Sequence, residues 1–205
     1  IELIKSGGLA GQLIIALLTF LLIVTLYIYF ERLLTIKSAS KVDPNFMNEI
    51  KDYVVNGNFD AAKVLCMNVN SPVSRLIHKG VSRIGRPLAD INSSIENAGK
   101  LEVYSLEKNV SVLATISGAA PMIGFLGTVI GMILSIFEIA NSGGQIDIKL
   151  LADGLYTAMT TTVGGLVVGI IAYISYNHIV GRTNKVVYLM EANSVEFLDL
   201  LNEPT

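Results

Sequence analysis

Residues 109–137 read NVSVLATISGAAPMIGFLGTVIGMILSIF, without one Asp, Glu, Lys or Arg. Roughly 20 apolar residues are enough for a helix to cross a bilayer, so this run is long enough to span. Two more uncharged stretches flank it, residues 6–30 on one side and 154–181 on the other. Of the 205 residues 52% are hydrophobic and 16% charged, and the mean hydropathy is +0.58. Soluble domains carry about 25% charged residues. The chain therefore reads as an all-α integral membrane protein with three transmembrane helices. The first stretch is too long for a cleaved signal peptide and has no small-residue cleavage site before Glu31, so it reads as an anchor that stays. Because the chain opens on Ile1, a few residues are expected ahead of it.

Composition also excludes several classes. A net charge of −2 gives no basic footprint for nucleic acid. The single cysteine, Cys66, cannot form a disulfide within the chain or build a cysteine zinc cluster, and His78 and His178 are far apart in sequence. No G-x-S-x-G elbow occurs, and the glycine run of residues 124–131 lacks the lysine of a phosphate loop. No enzymatic role and no bound cofactor are expected.

Lysine and arginine set the orientation. Eleven lie between the first two stretches, and Arg182 and Lys185 follow the third, against only Lys5 and Lys149 on the other side. The positive-inside rule then places residues 1–30 as a periplasmic N-terminus and first span, 31–108 as a cytoplasmic helical segment, and 109–137 as the second span. Residues 138–153 become a periplasmic loop, 154–181 the third span, and 182–205 a cytoplasmic C-terminal helix. Glu138 and Asp153 stand at the outer ends as boundary charges or as gatherers of cations.

Within the cytoplasmic part, Asp43 and Pro44 mark a helix start, with Phe46, Ile50 and Tyr53 on one face and Asn56 with Gly57 as the stop. Asn58 and then Ser71 with Pro72 offer two further starts, and Arg86 with Pro87 ends that run. From Asp90 the positions Ile91, Ile95, Ala98 and Leu101 recur at helical spacing, and the next proline is Pro121. One unbroken helix of about 50 residues, roughly 75 Å long, is therefore expected to enter the membrane. The third helix is expected to extend through Val186, Leu189, Met190, Val195 and Leu198.

The first stretch is rich in leucine, isoleucine and aromatic residues, as befits a helix facing lipid. The other two differ. Gly124, Gly127, Gly131 and Ser135 in the second, and Gly154, Ala158, Gly165 and Gly169 in the third, are small residues that recur close to one face of each helix. Such faces let helix backbones approach closely or meet a partner helix. Pro121 is expected to kink the second span. Thr157, Thr160, Thr161 and Thr162 crowd a turn and a half of the third span, with Thr128 in the second. Threonine hydroxyls either bond the carbonyl one turn back or line a polar interior that holds a hydrated ion or a partner's charged group. No ionisable side chain lies near the middle of any span, so a proton path through a carboxylate would need one from another chain. His178 sits at the inner end of the third span, as an interfacial residue or a relay member.

Residues 120–132, APMIGFLGTVIGM, resemble the A-P-x-x-G-L-x-G-T-V-x-G-M segment of the MotA/TolQ/ExbB family. Leu151, Ala152, Asp153 and the run to Thr162, then Gly165, Leu166, Tyr176 and Asn177, resemble the family's third-span pattern, and the topology is that of its three-span ExbB/TolQ branch. The resemblance implies a homopentamer in the inner membrane of a Gram-negative cell, with the second and third helices around two spans of an ExbD/TolR-type partner. That partner would bring the missing aspartate, and a TonB-type transducer would carry the force outward. Thr128, Thr162, Thr157 and Thr161 are then the candidate ion-path residues. Protons are the implied cargo, with sodium as the alternative, since hard cations prefer oxygen ligands. Thr157 stands where many members carry a glutamate, so a glutamate-dependent step does not transfer to this chain. A non-transporting membrane scaffold is the other reading of the same small-residue faces.

Overall fold

The computed structural model describes residues 9–41, 43–141 and 148–202, without the side chains of residues 9, 138, 148–151 and 153. Lys5 and the side chains of Glu138, Lys149 and Asp153 lie outside the described residues, as do residues 142–147 of the loop expected at 138–153, whereas 138–141 and 148–153 are helical. Among the described residues the chain is all-helical. The helices are α1 Leu9–Ala39, α2 Phe46–Val55, α3 Phe59–Asn68, α4 Pro72–Val81, α5 Leu88–Leu106, α6 Val110–Asn141 and α7 Ile148–Asn202. They form two compact units. The first comprises Ile1–Phe30 and Asn109–His178, the second Glu31–Lys108 and Ile179–Thr205.

In the first unit, α1, α6 and α7 each contain a segment long and apolar enough to cross a membrane. Their common core is Leu18 from α1, Ile116 and Ala120 from α6, and Val168 and Ala172 from α7. The first of these helices packs along one stripe only. α1 buries a stripe of Leu18, Thr25 and Ile28 and leaves Leu13, Phe20, Ile23 and Tyr27 exposed. The reason is size: Leu18 meets a seam whose alanines and glycines leave room for it. At the far end of this unit the Tyr29 hydroxyl and His178 Nδ1 are 2.8 Å apart, tying α1 to α7.

The second unit is a stack in which α2, α3, α4 and α5 pack in succession. Local chemistry sets its boundaries. Asp43 Oδ1 accepts the Asn45 N–H at 2.9 Å, which delays the helix start expected at Asp43 until Phe46. Asn58 caps α3 by accepting from Ala61 N–H. Ser71 and Ser74 form a reciprocal capping box, with Pro72 in the first turn of α4, where its missing N–H costs nothing. α4 ends at Val81, before the expected stop at Arg86, and Gly85 takes φ +94° in the turn that follows. Phe46, Ile50, Ile77 and Phe197 fill the core. The Phe197 ring covers Gly80, where a methyl group would come within 2.5 Å of its Cε1.

One expectation fails at the border of this unit. The helix predicted to run unbroken from Asp90 is interrupted, since α5 ends at Leu106 and Asn109 takes φ +62° before α6 begins. Asparagine tolerates the left-handed region better than most residues, so one position suffices to stop the ladder. Beside the break, the buried Arg32 guanidinium pairs with Glu31 and donates to the Ser105 carbonyl at 3.1 Å. It thereby meets one of the last carbonyls of α5, which have no helical donor. Leu101 and Val195 lie in helices as their spacing predicts, and both are exposed, at 72% and 57%.

Candidate functional site

α6 and α7 meet along a seam made almost entirely of backbone and very small side chains. At its centre a methyl on Gly165 would lie 2.5 Å from the Ala120 carbonyl oxygen and 2.8 Å from Gly124 Cα. One on Gly124 would lie 2.8 Å from the Thr161 carbonyl oxygen and 3.0 Å from Gly165 Cα. On one side of this contact Gly127 packs on the Thr161 side chain, Gly131 faces Ala158, and Gly154 faces Ser135. On the other, Gly169 is covered by the Pro121 ring and approaches the Ser117 carbonyl, which sits four residues before the proline. Proline cannot donate to that carbonyl, so a close glycine finds room beside it. α6 runs through Pro121 as one helix, Val110–Asn141, with the proline ring packed on Gly169.

The hydroxyl groups take distinct positions on and around the seam. Thr128 Oγ1 donates across it to the Ala158 carbonyl at 3.1 Å, and Thr162 Oγ1 donates back to the Gly124 carbonyl at 3.2 Å. The two hydroxyl oxygens are also in hydrogen-bond contact with each other. Two protons thus serve three contacts. Either one hydroxyl donates to the other, which donates to its own carbonyl (Thr162 to Gly124, or Thr128 to Ala158), or both protons go to carbonyls and the two oxygens turn lone pairs toward one another. A rotation of one hydroxyl interconverts the two, and the second arrangement accepts a donor or a cation.

The structure does not gather the four threonines singled out for an ion path into one cluster. Thr162 and Thr128 meet. Thr161 is fully buried, bonded to the Ala158 carbonyl at 2.8 Å and packed on Gly127. Thr157 lies toward α1, where a methyl on Gly11 would come within 2.7 Å of its Cγ2. Thr160 bonds the Tyr156 carbonyl one turn back at 2.8 Å. Ser135 is buried and bonds the Gly131 carbonyl at 2.9 Å. Consecutive helical residues point about 100° apart, so a crowd of threonines necessarily divides among several directions.

Sequence reasoning did not single out Ala120 or Gly11 as contact residues. Gly154 continues the small-residue row of Ala158, Thr161 and Gly165, as its spacing predicts. Gly11 carries no such row. Among the described residues no group of three or more His, Cys, Asp or Glu is placed to hold a metal ion.

The family model described as "MotA/TolQ/ExbB proton channel family" matches residues 68–192. An ExbB homolog of Methanothermobacter thermautotrophicus is 28% identical over 183 residues, 89% of this chain and 63% of that protein. An ExbB-like biopolymer transport protein of Helicobacter pylori is 39% identical over 84 residues, 41% of this chain and 55% of that one. The TolQ protein of Haemophilus influenzae is 26% identical over 207 aligned positions, covering 91% of this chain and 86% of the relative. The chain thus spans 63% and 55% of the two ExbB-type relatives.

Proposed function

The chain belongs to the MotA/TolQ/ExbB proton channel family, and on that premise we propose that it is a subunit of a membrane motor driven by an ion gradient. In this reading five copies surround two spans of an ExbD/TolR-type partner in the inner membrane. The N-terminus is periplasmic, and residues 31–108 and 182–205 are cytoplasmic. The role is not enzymatic and uses no bound cofactor. A TonB-type transducer receives the force. Protons are the cargo, with sodium as the alternative.

The observation that carries the reading is the Thr128–Thr162 pair, two hydroxyls that bridge α6 and α7 in the membrane unit with no ionisable side chain beside them among the described residues of the seam. An ion neutralises the partner's aspartate and so lowers the cost of moving it along the apolar wall of α6 and α7. Release on the other side restores the charge, and the hydroxyl pair offers hydrogen bonds to the charged or hydrated form. One charge crossing 100 mV releases roughly 2.3 kcal/mol, so a few ions per step can rearrange a packed interface. Thr161 and Thr157, placed against Gly127 and Gly11, act in this scheme by holding the helices that present the pair.

One observation favours a scaffold instead: both hydroxyls of the pair have carbonyl acceptors, as simple helix packing would require. Ion flux separates the readings. In proteoliposomes holding the chain and its single-span acidic partner, Thr128→Val with Thr162→Val is expected to stop flux while native mass spectrometry still finds the pentamer. Unchanged flux would overturn the motor assignment.

A further inference from the structure

Leu101 and Val195, both exposed, belong to two different faces of the second unit. Val195 lines a groove of about 580 Å³ between α5 and the C-terminal part of α7. Its wall is apolar, with Ile95, Val103, Val187 and Met190, and Tyr104 is 78% exposed at its edge. Its charged residues are Glu96, Glu107 and Glu191 against the single Lys100. Leu101 lies on the other side of α5, with the exposed Met67 of α3 beside the same hollow. The charges around Leu101 are Arg75, Lys79 and Arg83 against Asp90 and Glu102, and since Arg75 and Glu102 pair with each other at 2.6 Å, Lys79 and Arg83 face only Asp90. One face is thus an apolar groove with an acidic excess, the other an apolar ridge with a basic excess. Like charges would oppose a groove-to-groove or ridge-to-ridge contact. Two unlike, complementary patches on one chain produce head-to-tail contacts, which close into a ring when the rotation allows.

We propose that the ridge centred on Leu101 of one copy docks into the groove lined by Val195 of the next. This rests on the assembly of like chains proposed above and adds the surface by which the second units join. Lys79 and Arg83 of the ridge then face Glu96 and Glu191 of the neighbouring groove.

The test uses the full chain in membranes, in a Cys66→Ala background, with Leu101→Cys and Val195→Cys introduced singly and together. Under mild oxidation the double variant is expected to give a covalent ladder reaching the full oligomer, and each single variant to stay monomeric on denaturing gels. A dimer formed by Val195→Cys alone would mean a groove-to-groove contact and overturn the proposal. So would an absent ladder in a double variant that native mass spectrometry shows to be oligomeric. A double variant and parent that are both monomeric would overturn the assembly reading itself. Independently, Lys79→Glu with Arg83→Glu is expected to lower the oligomer fraction at least severalfold. Adding Glu96→Lys and Glu191→Lys should restore it, and failure of the exchange to restore it counts against the pairing.

Discussion

Gly165 and Gly124 touch through their α-carbons, and a methyl group on Gly165 would stand 2.8 Å from the Cα of Gly124. No rotamer change relieves that overlap, because the obstructing atoms are main chain. Gly165→Ala is expected to destabilise the helix pair by about 1–3 kcal/mol, the usual range for overpacking. Gly118 and Gly181 have open space where a methyl would go. Alanine there should be neutral or stabilising by up to about 1 kcal/mol through helix propensity. Thermal unfolding of the purified variants in one detergent checks the contrast, and equal losses at all three positions would refute it.

The interhelical hydroxyl bonds are measurable as a coupling. A double-mutant cycle with Thr128→Val and Thr162→Val is expected to give about 0.6 kcal/mol, the average found for such bonds between membrane helices. Thr161→Val keeps the shape that fills the space over Gly127 and loses only a bond within its own helix. It should therefore show no coupling to Thr128 beyond the error of the cycle.

Asn109 provides a backbone test. At φ +62° an alanine pays the left-handed penalty, about 1–2 kcal/mol, whereas glycine pays none of it. Asn109→Ala should lower the unfolding midpoint and Asn109→Gly should leave it within error. A continuous α5–α6 helix would reverse the order, since alanine is the better helix former.

Burial pushes the Cys66 thiol up to about 12 from its ordinary 9.0. The folded state therefore holds this proton more tightly than the unfolded one. Stability from this group is fully present below pH 9 and is lost as pH rises from about 9 to about 12. At pH 8 the three-unit difference makes the thiolate on the order of a thousandfold scarcer in the folded chain. Maleimide labelling should accordingly be slow in the native protein and fast in denaturant; rapid native labelling would contradict the burial.

The three long apolar helices were legible because charge depletion is written locally in the chain. So were the residues of the seam, since glycines at three- and four-residue steps mark a row whatever the partner. Which way each hydroxyl of the threonine crowd points was not legible. That depends on the rotational phase of one helix against another, and Thr161 and Thr162 differ by a single step. The break at Asn109 escaped notice because the helical period of apolar residues continues on both sides of it.

The seam also constrains how the chain tolerates change. At the contact between Gly165 and Gly124, both residues are already the smallest available, and the Ala120 atom nearest Gly165 is a carbonyl oxygen. An enlargement on one side cannot be answered by a reduction on the other. Second-site suppressors of Gly165→Ala should then map away from the opposing residues, to positions that let a whole helix shift, and pairwise epistasis across this contact should be one-sided.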